Sequence, residues 1–303
     1  MRITFLGTAA ARPSVARNVS SLVIQREGEH FMFDCGEGTQ RQMMRFGTGF
    51  SLDDIFFSHL HADHFLGVIG LLRTMGLQAR ETPVRLWVPR GGEALMHAAV
   101  GLGVERVPFG VEINGLDPRQ TLDRGDYTIN TFRTVHRGDG SLGYALVEKP
   151  RLGRFNPDRA RELGIPEGPL WGQLHRGEPV QLDDRQITPD DVVGPPRPGR
   201  VVVYSGDTRP CQETILAASG ADLLIHEATF SRDESDRARQ TGHSTARDAA
   251  RVARDAGVRR LVLTHFSPRY ADDPRALERE ARAVFPETTS ASDGLVIEVP
   301  FAE

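Results

Sequence analysis

Three histidines and one aspartate lie within six residues of one another, in the sequence HLHADH at positions 59–64. This segment directly follows a short apolar run at 54–58, and a loop at the carboxyl end of a strand leaves its side chains free to form a site. Imidazole and carboxylate groups are ligands for zinc and related borderline metal ions. Within one turn, the first two histidines can converge on one ion while Asp63 and His64 turn toward another. We therefore predict a metal-binding loop, in preference to a surface loop that is merely rich in histidine.

Three further residues of ligand type stand where a predicted strand has just ended. They are His136 after the strand at 127–135, Asp207 after 201–204 and His265 after 261–264. Taken singly, each would more often be an ordinary hydrogen-bonded polar residue than a metal ligand. Three of them at matching strand ends, together with an H-x-H-x-D-H loop, predict a site for two metal ions.

The elements that must position these residues are short strands with helices between them. Apolar runs predict further strands that end at Gly7 and that lie at 21–25, 31–34, 84–88, 142–147 and 223–226. Apolar residues at helical spacing predict helices after residue 65 and at 91–100. The clearest helix begins at Ser244 or Thr245 and stops at Gly257. This order predicts an α/β protein in stacked layers, with helices covering two packed sheets.

The composition of the 303 residues is that of a folded protein, with 39% apolar and 26% charged residues. This excludes an intrinsically disordered chain, and the net charge of −4 provides no general attraction to nucleic acid. The longest apolar stretch, at 65–72, is much shorter than the roughly 18 or more residues of a membrane span. With only two cysteines, Cys35 and Cys211, we expect no disulfide framework and predict a cytoplasmic protein without a membrane anchor.

One stretch, at about 151–197, is rich in proline and differs from the rest of the chain. Within it, Asn156 and Pro157 predict the start of a short helix that ends at Gly164. We interpret the stretch as an arm inserted between two core strands, and a long surface loop is the alternative. Its first part contains four candidates for contacts with phosphate groups, Arg151, Arg154, Arg159 and Arg161. For each arginine alone, an ordinary solvated surface charge is an equally good interpretation.

Together these residues resemble a known family. An H-x-H-x-D-H loop followed by a distant histidine, a distant aspartate and a last histidine is typical of the metallo-β-lactamase superfamily. Within it, the chain closely resembles the ribonuclease Z family. The supporting stretches are FDCGEGTQ at 33–40, SLGY at 141–144, IPEGP at 165–169, SGDTR at 205–209, HEATF at 226–230, HST at 243–245 and HFSPRY at 265–270. Ala62 stands where the family usually has glycine, and we expect no loss of function from it.

The resemblance implies the metallo-β-lactamase αβ/βα four-layer sandwich, as one domain over residues 1–303 with the arm inserted at about 151–197. It implies two zinc ions per subunit, with manganese as an alternative metal. By resemblance, the first ion is bound by His59, His61 and His136, the second by Asp63, His64 and His265, and Asp207 bridges the two. It also implies a homodimer, in which the arm of one subunit holds precursor tRNA at the active site of the other.

The activity that the resemblance implies is that of an endoribonuclease that removes the 3′ trailer from precursor tRNA. The products are a tRNA with a 3′-hydroxyl and a trailer with a 5′-phosphate. Asp63 is expected to orient the attacking water and accept its proton, and His243 to donate a proton to the leaving oxygen. Asp34, His226 and Glu227 are predicted to orient the ligands or His243, and ordinary hydrogen-bonded burial is the alternative for these three.

Three other functions fit parts of the same pattern. A phosphodiesterase of the same fold that acts on small molecules has the same metal site but no use for the arm. A non-catalytic RNA-binding relative is expected to have lost ligands, whereas the ligand set and His243 are intact. A redox di-iron relative usually has a carboxylate in place of the second histidine of the loop, whereas His61 is present.

Overall fold

The computed structural model describes residues 1–104, 106–138, 140–270 and 273–302. The chain divides into two compact units. The first comprises Met1–Leu146 and Val201–Pro300, and the second comprises Val147–Arg200 with the end of the chain from Phe301. The first unit contains every predicted metal ligand, and the second contains the stretch that the sequence predicts to be an arm.

Two seven-stranded sheets form the framework of the first unit. The first sheet consists of β1 (Arg2–Gly7), β2 (Ser21–Arg26), β3 (Glu29–Cys35), β4 (Asp54–Phe56), β5 (Val84–Pro89), β6 (Val111–Leu116) and β16 (Val296–Glu298), in the spatial order β16-β1-β2-β3-β4-β5-β6. The second consists of β7 (Thr121–Asp123), β8 (Tyr127–Arg133), β9 (Leu142–Glu148), β12 (Val201–Tyr204), β13 (Leu223–Glu227), β14 (Leu261–Thr264) and β15 (Thr288–Ser290), in the order β15-β14-β13-β12-β9-β8-β7. Strands β3 to β6 are parallel, as are β12 to β15, so each sheet has an edge where several carboxyl ends meet.

Helices lie outside the two sheets or in the loops that follow their strands. They are α1 (Thr39–Phe46), α2 (Ala62–Phe65), α3 (Gly67–Leu77), α4 (Glu93–Val100), α7 (Gln212–Ala217), α8 (Ser235–Thr241), α9 (Ala246–Ala256) and α10 (Arg275–Arg282). Helices α1, α3 and α4 share an apolar core with the first sheet. Helix α9 contacts β13 and β14, and α10 contacts β15. The predicted αβ/βα order of layers is therefore present, and no helix among the described residues is long and apolar enough to cross a membrane.

Alternating side chains of the strands separate the core between the sheets from the core beneath the helices. Phe33 and Phe56 face the second sheet, where their rings lie 5.2 Å apart and the Phe33 ring lies 5.4 Å from that of Tyr144. Met32 and Ile55, which alternate with them, pack against the helices. Each aromatic pair contributes about 0.5–1.5 kcal/mol beyond the burial of its area.

The second unit is a small folded element with its own core. It contains α5 (Pro157–Glu162), α6 (Pro169–His175) and a hairpin of β10 (Val180–Leu182) and β11 (Arg185–Ile187). Its core consists of Ala160, Ile165, Leu174, Val180, Ile187 and Val192. At its base, Arg200 donates to both carboxylate oxygens of Glu148 at 2.7 and 2.6 Å in a buried ion pair. Such a core is a property of a folded element and not of a surface loop.

Capping residues set the ends of the two helices whose starts the sequence predicts. The Thr245 side chain accepts a hydrogen bond from the Asp248 N–H in a capping box, and Gly257 ends α9 in the left-handed conformation. The Asn156 side chain accepts a hydrogen bond from the Arg159 N–H at the start of α5. Both predicted starts are confirmed, because a side-chain oxygen at the N-cap satisfies a backbone donor that the helix leaves free.

The strand predictions are correct in the core and incomplete at the edges. The strands at 201–204 and 261–264 have the predicted bounds, but β8 ends at Arg133, two residues earlier than predicted. His136 consequently lies in a loop. Strands β6, β7, β15 and β16 were not predicted, because each is short or only partly buried and lacks a regular apolar pattern.

A close approach of two backbone segments positions the HLHADH loop. A Cβ atom at Gly67 would lie 1.9 Å from the carbonyl oxygen of Gly36, and one at Gly36 would lie 2.4 Å from that of Asp63. Only glycine fits at both positions, so the start of α3 and the end of β3 can touch. This contact brings the loop against the end of β3, where Asp34 stands.

A buried carboxylate in β4 provides a test of the framework. Asp54 is 2% exposed and accepts hydrogen bonds from Arg85 at 2.7 and 2.7 Å, from Trp87 at 2.6 Å and from Arg124 at 3.0 Å. Burial alone would raise the pKa of Asp54, but the hydrogen bonds and charges of these partners lower it below its ordinary value.

We predict that Asp54→Asn lowers the free energy of unfolding at pH 7 by about 2–3 kcal/mol, because it leaves two guanidinium groups without their carboxylate. The folded pKa is depressed, so this contribution is present above the unfolded pKa of about 3.9 and is lost as the pH falls through the folded value. Urea titrations from pH 7 to pH 3 measure it. The exposed neighbour Asp53 is the control, and equal losses in Asp53→Asn and Asp54→Asn would contradict the prediction.

Candidate metal centre

The seven predicted ligands come from four loops that follow strands of both sheets. The loop after β4 carries His59, His61, Asp63 and His64. The loops after β8, β12 and β14 carry His136, Asp207 and His265. All of these strands point their carboxyl ends to the same edge of the first unit, and the structure brings all seven side chains together there.

Three histidines form the first part of the cluster. The Nδ1 atom of His61 lies 3.0 Å from Nε2 of His59 and 3.2 Å from Nε2 of His136. Each of these atoms lies within 4.8 Å of the others, so one ion can contact all three.

The second part of the cluster is formed by two histidines and a carboxylate. The Nε2 atoms of His64 and His265 lie 3.3 Å apart, and Oδ2 of Asp63 lies 3.6 and 3.5 Å from them. Oδ2 of Asp207 lies 3.4 Å from His64 Nε2 and 3.3 Å from His265 Nε2. The same oxygen lies 3.8 Å from Nε2 of His59, so Asp207 stands between the two parts.

The donor atoms fit bound metal ions. Asp207 is 3% exposed, and its Oδ1 atom has no hydrogen-bond partner among the described residues. A buried polar atom without a partner destabilises a protein unless a further group satisfies it. Imidazole nitrogens and carboxylate oxygens grouped in threes are the ligands that catalytic zinc sites use.

Two ligand histidines are oriented by acceptors that take their Nδ1 hydrogen. His64 donates from Nδ1 to Oδ2 of Asp34 at 2.8 Å, and His136 donates from Nδ1 to the carbonyl oxygen of Gly242 at 2.8 Å. With the hydrogen on Nδ1, the lone pair on Nε2 faces the centre of the cluster.

Two other ligand histidines are oriented through hydroxyl groups. His59 donates from Nδ1 to the Ser58 hydroxyl at 3.1 Å, and that hydroxyl donates to Asp34 at 2.8 Å. His265 donates from Nδ1 to the Thr229 hydroxyl at 2.8 Å, and that hydroxyl donates to Glu227 at 2.6 Å. A carboxylate therefore ends each chain of hydrogen bonds and determines its direction.

Asp34 and Glu227 therefore lie next to the ligands, as the sequence predicts, while His226 does not contact them. Asp34 is fully buried and also accepts a hydrogen bond from the Tyr204 hydroxyl at 2.6 Å. His226 donates from Nδ1 to the carbonyl oxygen of Glu227 at 2.8 Å, and its Nε2 has no partner among the described residues.

His243 stands beside the cluster and is tied to Glu227. Its Nδ1 donates to Oε1 of Glu227 at 2.9 Å and lies 3.8 Å from Oδ2 of Asp207. Burial lowers the pKa of His243, but the charge of Glu227 and the hydrogen bond to it outweigh burial and raise this pKa to about 9. The imidazole is therefore protonated at neutral pH, which is the state that a proton donor needs.

The ligands open into a cavity of about 350 Å³ that is also lined by His243, Phe230 and three arginines, Arg137, Arg237 and Arg269. These arginines are not among the residues that the sequence predicts for the site. The sequence does mark two of them, because Arg137 directly follows the predicted ligand His136 and Arg269 belongs to the stretch HFSPRY at 265–270. Ser58 and Thr229 are also not predicted from the sequence. Serine and threonine have no characteristic spacing along the chain that identifies them as hydrogen-bond partners of a metal ligand.

The predicted arginines of the arm have partners within the second unit. Arg159 pairs with Glu162 at 3.0 Å, and Arg161 pairs with Asp158 at 2.8 Å and Glu167 at 2.9 Å. The Arg151 guanidinium lies over the Phe301 ring, 3.6 Å from its centroid, and Arg154 is exposed.

Two family descriptions match the chain. The family described as a beta-lactamase superfamily domain matches residues 191–266, and the family described as anti-Pycsar protein Apyc1 matches residues 1–152. Together with the two packed sheets and the ligand cluster at their edge, these matches define the chain as a protein of the metallo-β-lactamase superfamily.

Full-length relatives define the family more closely. The ribonuclease Z of Gemmatimonas aurantiaca is 58% identical over 99% of this chain and 96% of its own length. That of Myxococcus xanthus is 53% identical over 100% of this chain and 99% of its own. The solved structure of the short form of human tRNase Z is 30% identical, with a TM-score of 0.73, over 99% of this chain and 100% of that chain. The chain belongs to the ribonuclease Z family, which confirms the resemblance seen in the sequence.

The position of Asp207 between the two parts of the cluster predicts how its loss affects metal binding. We expect Asp207→Ala to weaken metal binding at both parts of the cluster by about tenfold or more, because one carboxylate stands between them. Metal content after dialysis against a chelator measures this. Asp222→Ala, which removes a carboxylate that caps β12 away from the cluster, should retain its metal. Two tightly held ions in Asp207→Ala would show that the carboxylate is not a shared ligand.

Proposed function

We propose that this chain is a metal-dependent endoribonuclease that removes the 3′ trailer from precursor tRNA. The reaction leaves a 3′-hydroxyl on the tRNA and a 5′-phosphate on the trailer. Its membership of the ribonuclease Z family supports an RNA phosphodiester as the substrate. The single structural observation that carries the proposal is a cluster of metal-binding side chains with an imidazole, His243, held beside it by a hydrogen bond to Glu227.

Two zinc ions per subunit are the cofactor that we propose, with manganese as the alternative. In this proposal His59, His61 and His136 would hold the first ion, Asp63, His64 and His265 would hold the second, and Asp207 would contribute to both. When bound, such ions lower the pKa of water to about 7 and stabilise the charge that develops on the phosphate oxygens.

Asp63 is the candidate base. Its Oδ2 accepts a hydrogen bond from the Ala11 N–H at 2.6 Å, which holds the carboxylate at the mouth of the cavity. Burial raises the pKa of Asp63, but the imidazoles of His64 and His265 lower it well below its ordinary value. The carboxylate is therefore ionised at neutral pH, and it can orient the attacking water and accept its proton.

His243 is the candidate acid. The oxygen that leaves phosphorus is the 3′ oxygen of the tRNA, and it needs a proton as the bond breaks. Glu227 keeps His243 protonated and oriented through the hydrogen bond at Nδ1, so the opposite edge of the ring is available to the substrate.

The arginines of the cavity are stronger candidates for phosphate contacts than those of the arm. Arg137, Arg237 and Arg269 line the cavity that contains His243. In the arm, Arg159 and Arg161 already pair with acidic side chains, which reduces the charge that they offer to RNA.

Three further parts of the proposal rest on the resemblance to the family. They are a homodimer, an arm that holds tRNA for the active site of the other subunit, and a cytoplasmic location. The folded core of the second unit supports a binding role for the arm, because a small-molecule phosphodiesterase has no use for such an element.

A precursor tRNA with a 3′ trailer tests the function directly. We expect a single cut, with the two product ends described above, and we expect His243→Ala to retain both metal ions while kcat falls about 100-fold, the usual range for a general acid. Single-turnover cleavage and metal analysis measure the two effects. His97→Ala, which changes an exposed histidine of α4, should behave as the wild type. Normal turnover in His243→Ala, or loss of its metal, would remove the acid assignment.

Replacement of the arm tests the substrate class. An antiparallel bridge between Arg151 and Arg197 brings the ends of the arm together, so a short Gly/Ser linker can replace the residues between them. The metal content and the hydrolysis of bis(p-nitrophenyl) phosphate should change little. We expect kcat/KM for precursor tRNA to fall about tenfold or more at low salt and to depend less on salt, because a remote set of phosphate contacts is lost.

The comparison between the two substrates decides the outcome. The combined change of Arg151, Arg154, Arg159 and Arg161 to Ala should cause part of the same loss and reduce the salt dependence. Equal losses on both substrates would mean that the arm supports the fold. An unchanged rate on precursor tRNA would favour the small-molecule phosphodiesterase.

A further inference from the structure

The end of helix α8 lies beside both a predicted metal ligand and the candidate acid. Gly242 ends the helix in the left-handed conformation, with φ 79° and ψ 29°. The N–H groups of Gly242 and His243 both donate to the carbonyl oxygen of Ala238, the latter at 2.8 Å. This pattern closes the last turn of the helix and reverses the chain.

The reversal determines where two groups point. The carbonyl oxygen of Gly242 turns toward His136 and accepts its Nδ1 hydrogen at 2.8 Å. The next residue, His243, is placed with its Nδ1 2.9 Å from Glu227 and 3.8 Å from Asp207. The positions of the His136 and His243 side chains therefore depend on the backbone conformation of Gly242.

The absence of a side chain at this position is also required by its neighbours. A Cβ atom at Gly242 would lie 3.3 Å from Nδ1 of His136 and 3.2 Å from the backbone nitrogen of Arg137. Either neighbour would have to shift by a few tenths of an ångström. Gly257, which ends α9 with φ 64°, offers the contrast, because a Cβ atom there would meet nothing within 4 Å.

We propose that Gly242 is a positioning residue of the metal centre: its carbonyl oxygen and its lack of a side chain hold the His136 imidazole in the place where it binds metal. The proposal rests on the assignment of His136 as a ligand in the proposed function. Metal sites tolerate ligand displacements of only about 0.2 Å, so a shift of a few tenths of an ångström at His136 weakens binding.

Two matched substitutions separate this role from ordinary helix capping. Gly242→Ala and Gly257→Ala both force alanine into the left-handed region, which destabilises the folded state at either site. The metal-free proteins should therefore both lose thermal stability, and Gly242→Ala should lose more, because its Cβ atom also presses on His136 and Arg137. Only Gly242→Ala also displaces His136, so we expect it to bind one of its zinc ions about 10- to 100-fold more weakly, while Gly257→Ala keeps the wild-type affinity.

A third variant isolates the steric part of the effect. Asparagine adopts the left-handed conformation more readily than alanine but still places a Cβ atom against His136. Gly242→Asn should regain thermal stability in the metal-free state without regaining zinc affinity. It also keeps the test informative if Gly242→Ala folds poorly, which far-ultraviolet circular dichroism would reveal.

Zinc affinity is measured by competition with a chromophoric chelator, and His136→Ala serves as the reference for a lost ligand. We expect Gly242→Ala and Gly242→Asn to resemble a weaker form of His136→Ala. Wild-type zinc affinity in both Gly242 variants would overturn the proposal and leave Gly242 as a helix cap only. Wild-type affinity in His136→Ala would instead overturn the ligand assignment, and the positioning role with it.

Discussion

The mutual repulsion of the metal-binding atoms is the constraint on which the rest of the site depends. Nitrogen and oxygen atoms that can bind metal lie 3.0–3.8 Å apart at the edge of the cavity. Such atoms come together only if their side chains are held by something other than one another. The strand ends of two packed sheets supply the backbone positions, and fixed Nδ1 hydrogen bonds supply the side-chain directions.

Two buried carboxylates share the task of holding the site, one from each sheet. Asp34, at the end of β3, connects Ser58 and His64 of the loop after β4 with Tyr204 of the other sheet. Glu227, at the end of β13, connects Thr229 with His243. Because each carboxylate accepts several hydrogen bonds, removing either one would leave buried donors unsatisfied on more than one loop. The packing of the loops and the geometry of the ligands therefore depend on the same hydrogen bonds.

Charge is distributed to suit an anionic substrate in spite of a net charge of −4. Arginines that line the cavity beside the metal ligands provide local positive charge. In the arm, opposite charges pair with one another, and that unit has an apolar core of its own. The predicted metal ligands all lie in the first unit, so the arm contributes no side chain to the ligand cluster.

Residue type and local spacing predicted the metal-binding loop at 59–64, since a metal ion accepts few donor types and a tight loop brings near neighbours in the chain together. The ends of predicted strands indicated His136, Asp207 and His265 as further candidates. The buried strands and the capped starts of α5 and α9 could also be predicted from the sequence, because both depend on local patterns. Tertiary structure decided the rest. It selected Ser58, Thr229 and Gly242 as anchors, and the last of these meets its histidine across 106 residues. It also ended β8 early, turned His226 to the backbone and paired the arginines of the arm. Hydrogen-bond partners are chosen by which loops the packed sheets bring together, and no spacing along the chain encodes that proximity.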